Sequence, residues 1–286
     1  MNDLKTIRIF LSTIFLVASL AWLFIGPDVN PLAIISVKSQ IIPSALAATI
    51  GATAFWLVAT FVFGRLYCST VCPVGSLQDL AIWSRRYLAR LSRKNRSLTR
   101  PYQFVPPSRG RWTFLTLYAA SLLLGVFSVA WILEPWRLLQ SVAGLERPVA
   151  VADTWAHSGI FMSLADGALI GCIISALILL VVILMALISG RWFCNKICPI
   201  GTALGAITQY SLYHIEINPD KCINCMKCED ICPAQCVKVL SRHVDDSRCI
   251  RCFNCLKVCP NDAIRYQINH NRRRTPLMQR RKQFNT

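Results

Sequence analysis

Four stretches of the chain contain no charged residue, and each is long enough to form a membrane-spanning helix. They run Ile9–Pro27, Ile41–Gly64, Trp112–Leu133 and Gly167–Gly190. At about 1.5 Å per residue, each helix reaches close to the roughly 30 Å of a bilayer's hydrocarbon core. Helices in the core of a soluble protein carry polar faces, and none is visible here. The pattern therefore predicts four transmembrane helices.

The basic residues between these stretches predict the orientation in the membrane. The segment Arg65–Arg111 holds ten Lys or Arg and one acidic residue, and the segment from Arg191 onward holds sixteen Lys or Arg. Basic segments stay on the cytoplasmic side of a membrane. The chain is therefore expected in the bacterial inner membrane, with both termini and the central loop on its cytoplasmic side. Only 16% of the residues are charged although the net charge is +17. Charge confined to short segments disfavours both a soluble cytosolic enzyme and a nucleic-acid-binding module.

Two runs of cysteines lie in the polar part that follows the fourth stretch. Each run reads C-x2-C-x2-C-x3-C-P, and the two runs are 27 residues apart. This is the pattern of bacterial two-cluster ferredoxins, in which the fourth cysteine of each run ligates the other cluster. One [4Fe–4S] cluster is therefore assigned to Cys222, Cys225, Cys228 and Cys259, and the other to Cys232, Cys249, Cys252 and Cys255. Disulfides are disfavoured in the reducing cytoplasm, and a zinc ribbon has two C-x2-C pairs instead of triplets.

A further cysteine, Cys236, aligns with Ala263 in the second half of this repeat. A cluster ligand would be expected in both halves, so Cys236 is predicted to be a small buried apolar residue. Cys172, inside the fourth stretch, receives the same interpretation. Short extended segments flank the runs, at His214–Ile217, Val237–Leu240 and Ile264–Gln267. They predict a compact α+β ferredoxin domain.

A second repeat places cysteines at the cytoplasmic ends of the second and fourth stretches. Both copies read G-R-x-aromatic-C-x3-C-P-aliphatic-G-[S/T], they are 126 residues apart, and they contain Cys68, Cys72, Cys194 and Cys198. The membrane part therefore reads as a duplicated two-helix unit. Three roles are open for the four thiols: a shared metal or iron–sulfur centre, a redox-active dithiol or partner contact, and a structural corner.

These features resemble the NapH/MauN family of membrane-bound ferredoxin-type proteins, and the resemblance runs from the first stretch to about Tyr266. It implies a component of a membrane quinol dehydrogenase that passes electrons from quinol through iron–sulfur clusters to a periplasmic reductase, often with a partner ferredoxin subunit. The cluster cysteines and the four C-x3-C-P cysteines carry over by position. The basic end, Arg272–Arg274 and Arg280–Lys282, lies outside the family pattern.

The expected fold is thus a polytopic α-helical membrane protein with a C-terminal α+β two-[4Fe–4S] ferredoxin domain. Its expected parts are helices in 1–64 and 112–190, a basic loop in 65–111, a linker in 191–212, the ferredoxin domain in 213–268 and a basic tail in 269–286. The expected partners are membrane lipid, redox proteins and the quinone pool, without nucleic acid. Two alternatives stay open: an electron conduit fed by cytoplasmic donors, and a factor for maturation of a neighbouring metalloenzyme.

Four further features have mainly ordinary interpretations. His157 is expected to be solvated, and Trp136 beside Glu134 is expected to anchor a helix at the outer interface. The segment after Pro73 combines apolar residues with Arg85 and Arg86, which predicts a helix lying on the anionic cytoplasmic leaflet. The basic tail is expected to contact the same leaflet or an acidic partner.

Overall fold

The computed structural model describes residues 2–25, 50–91, 101–124, 134–142 and 167–268. The described helices are α1 (Asn2–Ile25), α2 (Ile50–Phe63), α3 (Tyr67–Thr70), α4 (Pro73–Leu91), α5 (Gly110–Leu123), α6 (Pro135–Val142), α7 (Gly167–Ser189), α8 (Trp192–Lys196), α9 (Pro199–Thr208), α10 (Lys227–Asp230) and α11 (Asn254–Val258). The strands are β1 (Tyr213–Ile217), β2 (Val237–Lys238), β3 (His243–Val244) and β4 (Ile264–Ile268).

Each of the four predicted spans coincides with a described apolar helix over at least part of its length. Helices α1 and α7 cover most of the first and fourth predicted spans. Helix α2 covers the end of the second and α5 the beginning of the third, while 41–49 and 125–133 lie outside the described residues. Within the described residues, only Asp3–Ala21 is both long and apolar enough to cross a membrane; Gly51–Phe63, Ile173–Ser189 and Pro199–Thr208 are shorter apolar helices. One candidate span is therefore found, and the four-span arrangement stays a prediction.

The chain turns back on itself after α2 and again after α7. Gly64 and Gly190, at the two turns, have positive φ angles of 85° and 67°, a backbone conformation that glycine adopts without strain. After the first turn, the Tyr67 ring packs edge-on against Trp56, with ring centroids 5.3 Å apart, so α3 returns along α2. Both C-x3-C-P motifs thus form short helical hairpins, α3–α4 and α8–α9, folded back against the apolar helices.

Helix α4 packs between α1 and α7, and its polar residues are used inside the protein. Asp79 forms ion pairs with Arg8 of α1 at 2.7 Å and with Arg191 at 2.8 Å. Arg85 and Arg86 donate to the backbone oxygens of Ile188 and Ile231. The predicted helix is present, but these two arginines contact protein atoms, in contrast to the expected lipid-facing role. Trp83, Tyr87 and Leu88 do remain exposed on its other face.

Helix α6 lies against α4 and α7, and Pro135, next to Trp136, lines a cavity together with Cys68 and Cys194. Trp136 is 2% exposed and Glu134 is 4% exposed. The structure thus places Trp136 inside the protein beside the C-x3-C-P hairpins, so the expectation of an anchor at the outer interface is not supported. His157 and the basic tail 269–286 lie outside the described residues, as does the side chain of Cys172.

The C-terminal domain has two small antiparallel sheets. Strand β1 pairs with β4, so that Tyr213 lies opposite Ile268 and Ile217 opposite Ile264. Strand β2 pairs with β3, which the sequence pattern did not predict. The two cysteine runs lie between the strands, and the cysteines, Val237, Ile250 and Ile264 share one hydrophobic core with the C-x3-C-P hairpins.

Candidate iron–sulfur centres

The two cysteine runs adopt the same local backbone conformation. Three pairs of non-glycine residues have positive φ, each pair 27 residues apart: Asn224 and Arg251, Met226 and Phe253, Gln235 and Asp262. Their φ angles agree within each pair to a few degrees, for example 53° for both Asn224 and Arg251. Such left-handed residues turn the chain tightly, so the three cysteines of a C-x2-C-x2-C run face a common point. The sequence repeat is therefore a structural repeat.

One group of four thiols is fully buried and surrounds a cavity. Cys232, from the first run, lines this cavity together with Cys249, Cys252 and Cys255 from the second run. The other residues that line this cavity are apolar apart from the thiol of Cys236. The structure thus brings together the four cysteines that the crosswise arrangement assigns to one cluster.

The other group lies at the domain surface. Cys228 is buried, Cys222 and Cys259 are partly exposed, and Cys225 is exposed. Burial raises the pKa of Cys228 to about 12, and Cys225 and Cys259 contribute in the same direction because their thiolates lie nearby. The backbone N–H of Ala263 donates to the sulfur of Cys259 at 3.3 Å. Cysteines of both runs therefore meet here as well.

The arrangement of these thiols fits a cluster better than a single metal ion. Four thiolates around one zinc, at about 2.3 Å from the metal, would have sulfurs only about 3.8 Å apart. Within the part of the chain that the structure describes, no three His, Cys, Asp or Glu side chains are grouped so as to hold a single ion. Four thiols that line one cavity and come from both runs suit an iron–sulfur cluster with crosswise ligands. The donor set, four soft sulfurs, is the one that such clusters require.

Cys236 lies closer to the ligands than its sequence position suggested. It is 1% exposed, as predicted, but its sulfur is 3.6 Å from that of Cys232 and it lines the same cavity. Hydrogen bonding from Cys236 lowers the pKa of both Cys232 and Cys249. The interpretation as a plain apolar residue is therefore incomplete, because this thiol is a hydrogen-bond donor beside two predicted ligands.

The four C-x3-C-P cysteines also converge, and we call them the thiol quartet: Cys68, Cys72, Cys194 and Cys198. All four are buried and line one cavity, as the buried thiols of the ferredoxin domain do. The remaining lining residues are Tyr67, Val74, Pro135, Phe193 and Ile200. Burial raises the pKa of the Cys194 and Cys198 thiols, so metal binding has to displace their protons.

Two buried arginines cross between the hairpins that form the thiol quartet. Arg65 donates to the backbone oxygen of Cys194 at 3.2 Å, and Arg191 donates to that of Cys68 at 2.9 Å. Each guanidinium also lies 3.8 Å from the sulfur of the cysteine three residues ahead, Cys68 for Arg65 and Cys194 for Arg191. The two copies of the motif are thus locked together by a reciprocal pair of bonds.

The glycine that ends each motif makes room for this crossing. A Cβ atom at Gly75 would collide with the backbone oxygen of Cys68 and lie 2.7 Å from Nη1 of Arg191. At Gly201 it would collide with the backbone oxygen of Cys194 and lie 2.9 Å from Nη2 of Arg65. From the sequence, the Gly-Arg and Cys-Pro-x-Gly parts of the motif were interpreted only as turn residues of a structural corner. The signal was present, because each occupies the same place in both copies of the motif.

Known proteins match this chain in both of its cysteine-bearing parts. A family described as a 4Fe-4S binding domain matches residues 45–98 and 173–211, and one described as a 4Fe-4S dicluster domain matches residues 214–260. The first match includes the whole thiol quartet, and the second includes both cysteine runs. No solved structure matches the chain.

Among similar proteins, the methylamine utilization ferredoxin-type protein MauN of Paracoccus denitrificans is 30% identical over 192 residues, which cover 67% of this chain and 56% of MauN. The ferredoxin-type protein NapH of Haemophilus influenzae is 30% identical over 203 residues, covering 69% of this chain and 57% of NapH. NapH of Escherichia coli is 27% identical over 69% of this chain and 57% of its own length. The chain thus spans little more than half the length of these relatives. The resemblance is confirmed: the chain is a homologue of the MauN and NapH ferredoxin-type proteins.

Proposed function

We propose that the chain is a membrane-bound iron–sulfur electron carrier that relays single electrons between the quinol pool and partner redox proteins. The observation that carries this proposal is the contrast between the two thiol groups of the ferredoxin domain. One group is at the surface and the other is buried toward the helical part. When bound, a [4Fe–4S] cluster accepts and releases one electron. The chain would hold two such clusters close together. Because only one of the two thiol groups is exposed, solvent and partner proteins can reach only the cluster bound there.

The surface group provides the end that a soluble partner can approach. Beside the exposed Cys225, Ile223 is 61% exposed, and Lys221 and Lys227 are exposed on the same loop. Asp220 and Asp230 are exposed beside them, so the rim carries both signs of charge. An exposed apolar side chain within a charged rim is suited to brief contact with a redox partner protein. Electrons therefore enter or leave the ferredoxin domain at this loop.

The buried group provides the end that faces the membrane part. The backbone N–H of Arg191 donates to the oxygen of Pro233 at 2.8 Å, one residue from the predicted ligand Cys232. Asn195, next to Cys194 of the thiol quartet, donates to the oxygen of Ala234 at 3.0 Å. These bonds hold the buried thiols against the base of the helical part, where a membrane-side electron donor would connect.

The membrane location rests on where apolar side chains are exposed. Phe10, Phe55, Val58 and Leu177, on α1, α2 and α7, are each more than half exposed. Soluble monomers rarely present such large apolar surfaces to water, whereas lipid covers them at no cost. We propose that the apolar helices α1, α2, α5 and α7 lie in the inner membrane, with the ferredoxin domain and both termini in the cytoplasm as the positive charge distribution predicts.

Reduction by quinol is the test that separates the proposed donor from its alternatives. Anaerobic vesicles containing the full chain receive a reduced quinol analogue, and cluster reduction is followed by low-temperature electron paramagnetic resonance. We expect reduction in the wild type and in Cys225→Ser, and transfer to an added soluble acceptor only in the wild type. An absence of reduction by quinol together with reduction by a soluble low-potential donor would favour a conduit from the cytoplasm. A Cys225→Ser variant that lowers the cofactor content of a neighbouring metalloenzyme, with electron flux unchanged, would favour a maturation factor.

A further inference from the structure

We propose that the thiol quartet, Cys68, Cys72, Cys194 and Cys198, holds a third [4Fe–4S] cluster, and that Arg65 and Arg191 compensate its negative charge and raise its reduction potential. This proposal deepens the proposed electron-carrier function and places a redox centre between the ferredoxin domain and the membrane. It is argued from the geometry of the thiol quartet and from the charges buried beside it.

The first argument is that the thiol quartet resembles the buried thiol group of the ferredoxin domain. In each, four buried cysteines line one cavity, and the other lining residues are mainly apolar, with the thiol of Cys236 added in the ferredoxin domain. A disulfide or dithiol role needs only two sulfurs, and a structural corner needs none. Four thiols that converge on one cavity supply the four ligands that a four-iron cluster needs.

The second argument is a buried cation without an acidic partner. The Arg65 side chain is 1% exposed, and no carboxylate pairs with it in the part of the chain that the structure describes. Its hydrogen-bond partners are all uncharged: the side-chain oxygen of Asn195, the backbone oxygens of Ser247 and Cys194, and the sulfur of Cys68. A buried charge is strongly unfavourable unless an opposite charge compensates it. A cluster held by four thiolates is anionic and supplies that charge.

The third argument is the geometry of the two guanidinium groups. Arg191 is 0% exposed, and it and Arg65 each lie 3.8 Å from a quartet sulfur, one on each hairpin. Positive charge and hydrogen bonds at the ligand sulfurs favour the more negative, reduced state of a cluster. Asp79 lies behind Arg191, at 2.8 Å from its Nη2 atom, and opposes this effect. The network therefore contains groups that shift the potential in opposite directions.

A matched set of variants distinguishes an effect of these residues on the cluster potential through their charge from a purely structural effect. Arg65→Gln and Arg191→Gln remove positive charge beside the sulfurs, so each should lower the potential of the quartet cluster. Asp79→Asn removes the opposing negative charge and should raise it. Arg65→Lys keeps the charge, and Arg85→Gln removes a buried arginine that donates to the Ile188 oxygen, so both should change the potential little. A purely structural role of these residues would not give shifts of opposite sign.

The experiment uses full-length protein purified anaerobically in detergent. Iron and acid-labile sulfide are counted, and each variant is titrated with redox mediators under low-temperature electron paramagnetic resonance. We expect about twelve irons per chain, four for each of three clusters, and about eight in Cys194→Ser. We expect the glutamine variants to lower the reduction equilibrium constant of one signal by at least tenfold, about 59 mV for one electron.

Each other outcome overturns part of the proposal. About eight irons in the wild type, unchanged in Cys194→Ser and Cys68→Ser, would exclude the third cluster, and so would zinc or copper at the quartet. About ten irons would indicate a two-iron centre instead. Twelve irons with a potential unchanged by the Arg65, Arg191 and Asp79 variants would exclude the role of the arginines. None of these measurements uses quinol. If the third cluster is present but quinol does not reduce it, only the proposal that quinol is the electron donor is contradicted.

Discussion

The side chain of Asn195 donates a hydrogen bond to the backbone oxygen of Ala234, and both residues are buried. Asn195 follows Cys194 of the thiol quartet, and Ala234 lies two residues after Cys232 of the ferredoxin domain. The oxygen of the same amide accepts from Arg65 at 3.1 Å. One amide group therefore connects the membrane-side hairpins, the buried arginine and the ferredoxin domain.

Replacing Asn195 with leucine should destabilise this junction. The substitution keeps the branched shape of the side chain but leaves the buried oxygen of Ala234 without its donor and Arg65 without one acceptor. An unsatisfied buried polar group costs about 1–3 kcal/mol. Thermal unfolding of the full chain in detergent should show a lower midpoint. Asn261→Leu is the control, because Asn261 is exposed and its bond to the Lys221 oxygen is long, at 3.4 Å, so a change of at most about 0.5 kcal/mol is expected. Equal effects of the two substitutions would contradict the role of the junction.

Adding a methyl group at Gly75 or Gly201 should disrupt the crossing of the arginines. A Cβ atom at either position collides with a backbone oxygen of the other element of its hairpin and approaches an arginine of the opposite hairpin. We expect Gly75→Ala and Gly201→Ala to lower the iron bound at the quartet and the unfolding midpoint. Gly51→Ala is the matched control, since no atom lies within 4 Å of the added carbon and alanine favours the helix. Normal iron content in both hairpin variants would show that the backbone of the hairpins can shift to accommodate the added methyl group, contrary to our inference.

Replacing Cys236 with alanine should change a potential without removing iron. Its sulfur lies 3.6 Å from that of Cys232, and a thiolate ligand at Cys232 can only accept a hydrogen bond there. Loss of a hydrogen bond to a ligand sulfur disfavours the reduced cluster. We expect the same iron content as wild type and a lower potential for one ferredoxin-domain signal. Loss of about four irons would instead identify Cys236 as a ligand.

Asp245 should stabilise the loop before Cys249 throughout the neutral range. Burial opposes its ionisation, but Arg248, at 2.6 Å, and Ser247 hold its pKa below the usual value of 3.8. Since the pKa is lower in the folded state, the stabilisation is complete above the unfolded pKa and is lost only as pH falls below it. Asp245→Asn should therefore cost about 1.5–3 kcal/mol, constant from about pH 8 to 5.

The measurement is the difference in unfolding midpoint between Asp245→Asn and wild type at several pH values. Asp262→Asn is the control, because Asp262 is exposed, and it should change stability by at most about 0.5 kcal/mol. A difference between wild type and Asp245→Asn that disappears between pH 8 and 6 would contradict the assigned ion pair.

The sequence predicted those features that local spacing determines. The spacing within each cysteine run predicted a site, and the repeat of 27 residues reappears as three matched pairs of left-handed residues. The apolar stretches predicted helix α7 to within one residue at each end and the C-terminal end of α1, which begins at Asn2 instead of Ile9. Strand β3 was missed because it contains only His243 and Val244, too few residues for an alternating pattern.

Features that depend on distant parts of the chain were not predictable from spacing. Arg65 bonds to residues 129, 130 and 182 positions away, and nothing in its neighbourhood in sequence indicates those partners. Trp136 beside charged residues is typical of an interfacial anchor, yet packing of α6 against α4 and α7 buries it. Likewise, the sequence around Arg85 and Arg86 predicts lipid-facing side chains, but in the structure they donate to the carbonyl oxygens of Ile188 and Ile231, which are distant in sequence.

Crosswise ligation in the ferredoxin domain is the central claim, and single serine substitutions examined by low-temperature electron paramagnetic resonance of the reduced protein test it most directly. Cys225→Ser and Cys259→Ser are in different runs but at the same predicted cluster, so both should alter one and the same signal. Cys232→Ser and Cys252→Ser should both alter a second signal and leave the first intact. If Cys259→Ser instead altered the signal that Cys252→Ser alters, each run would bind its own cluster, and the account would be contradicted.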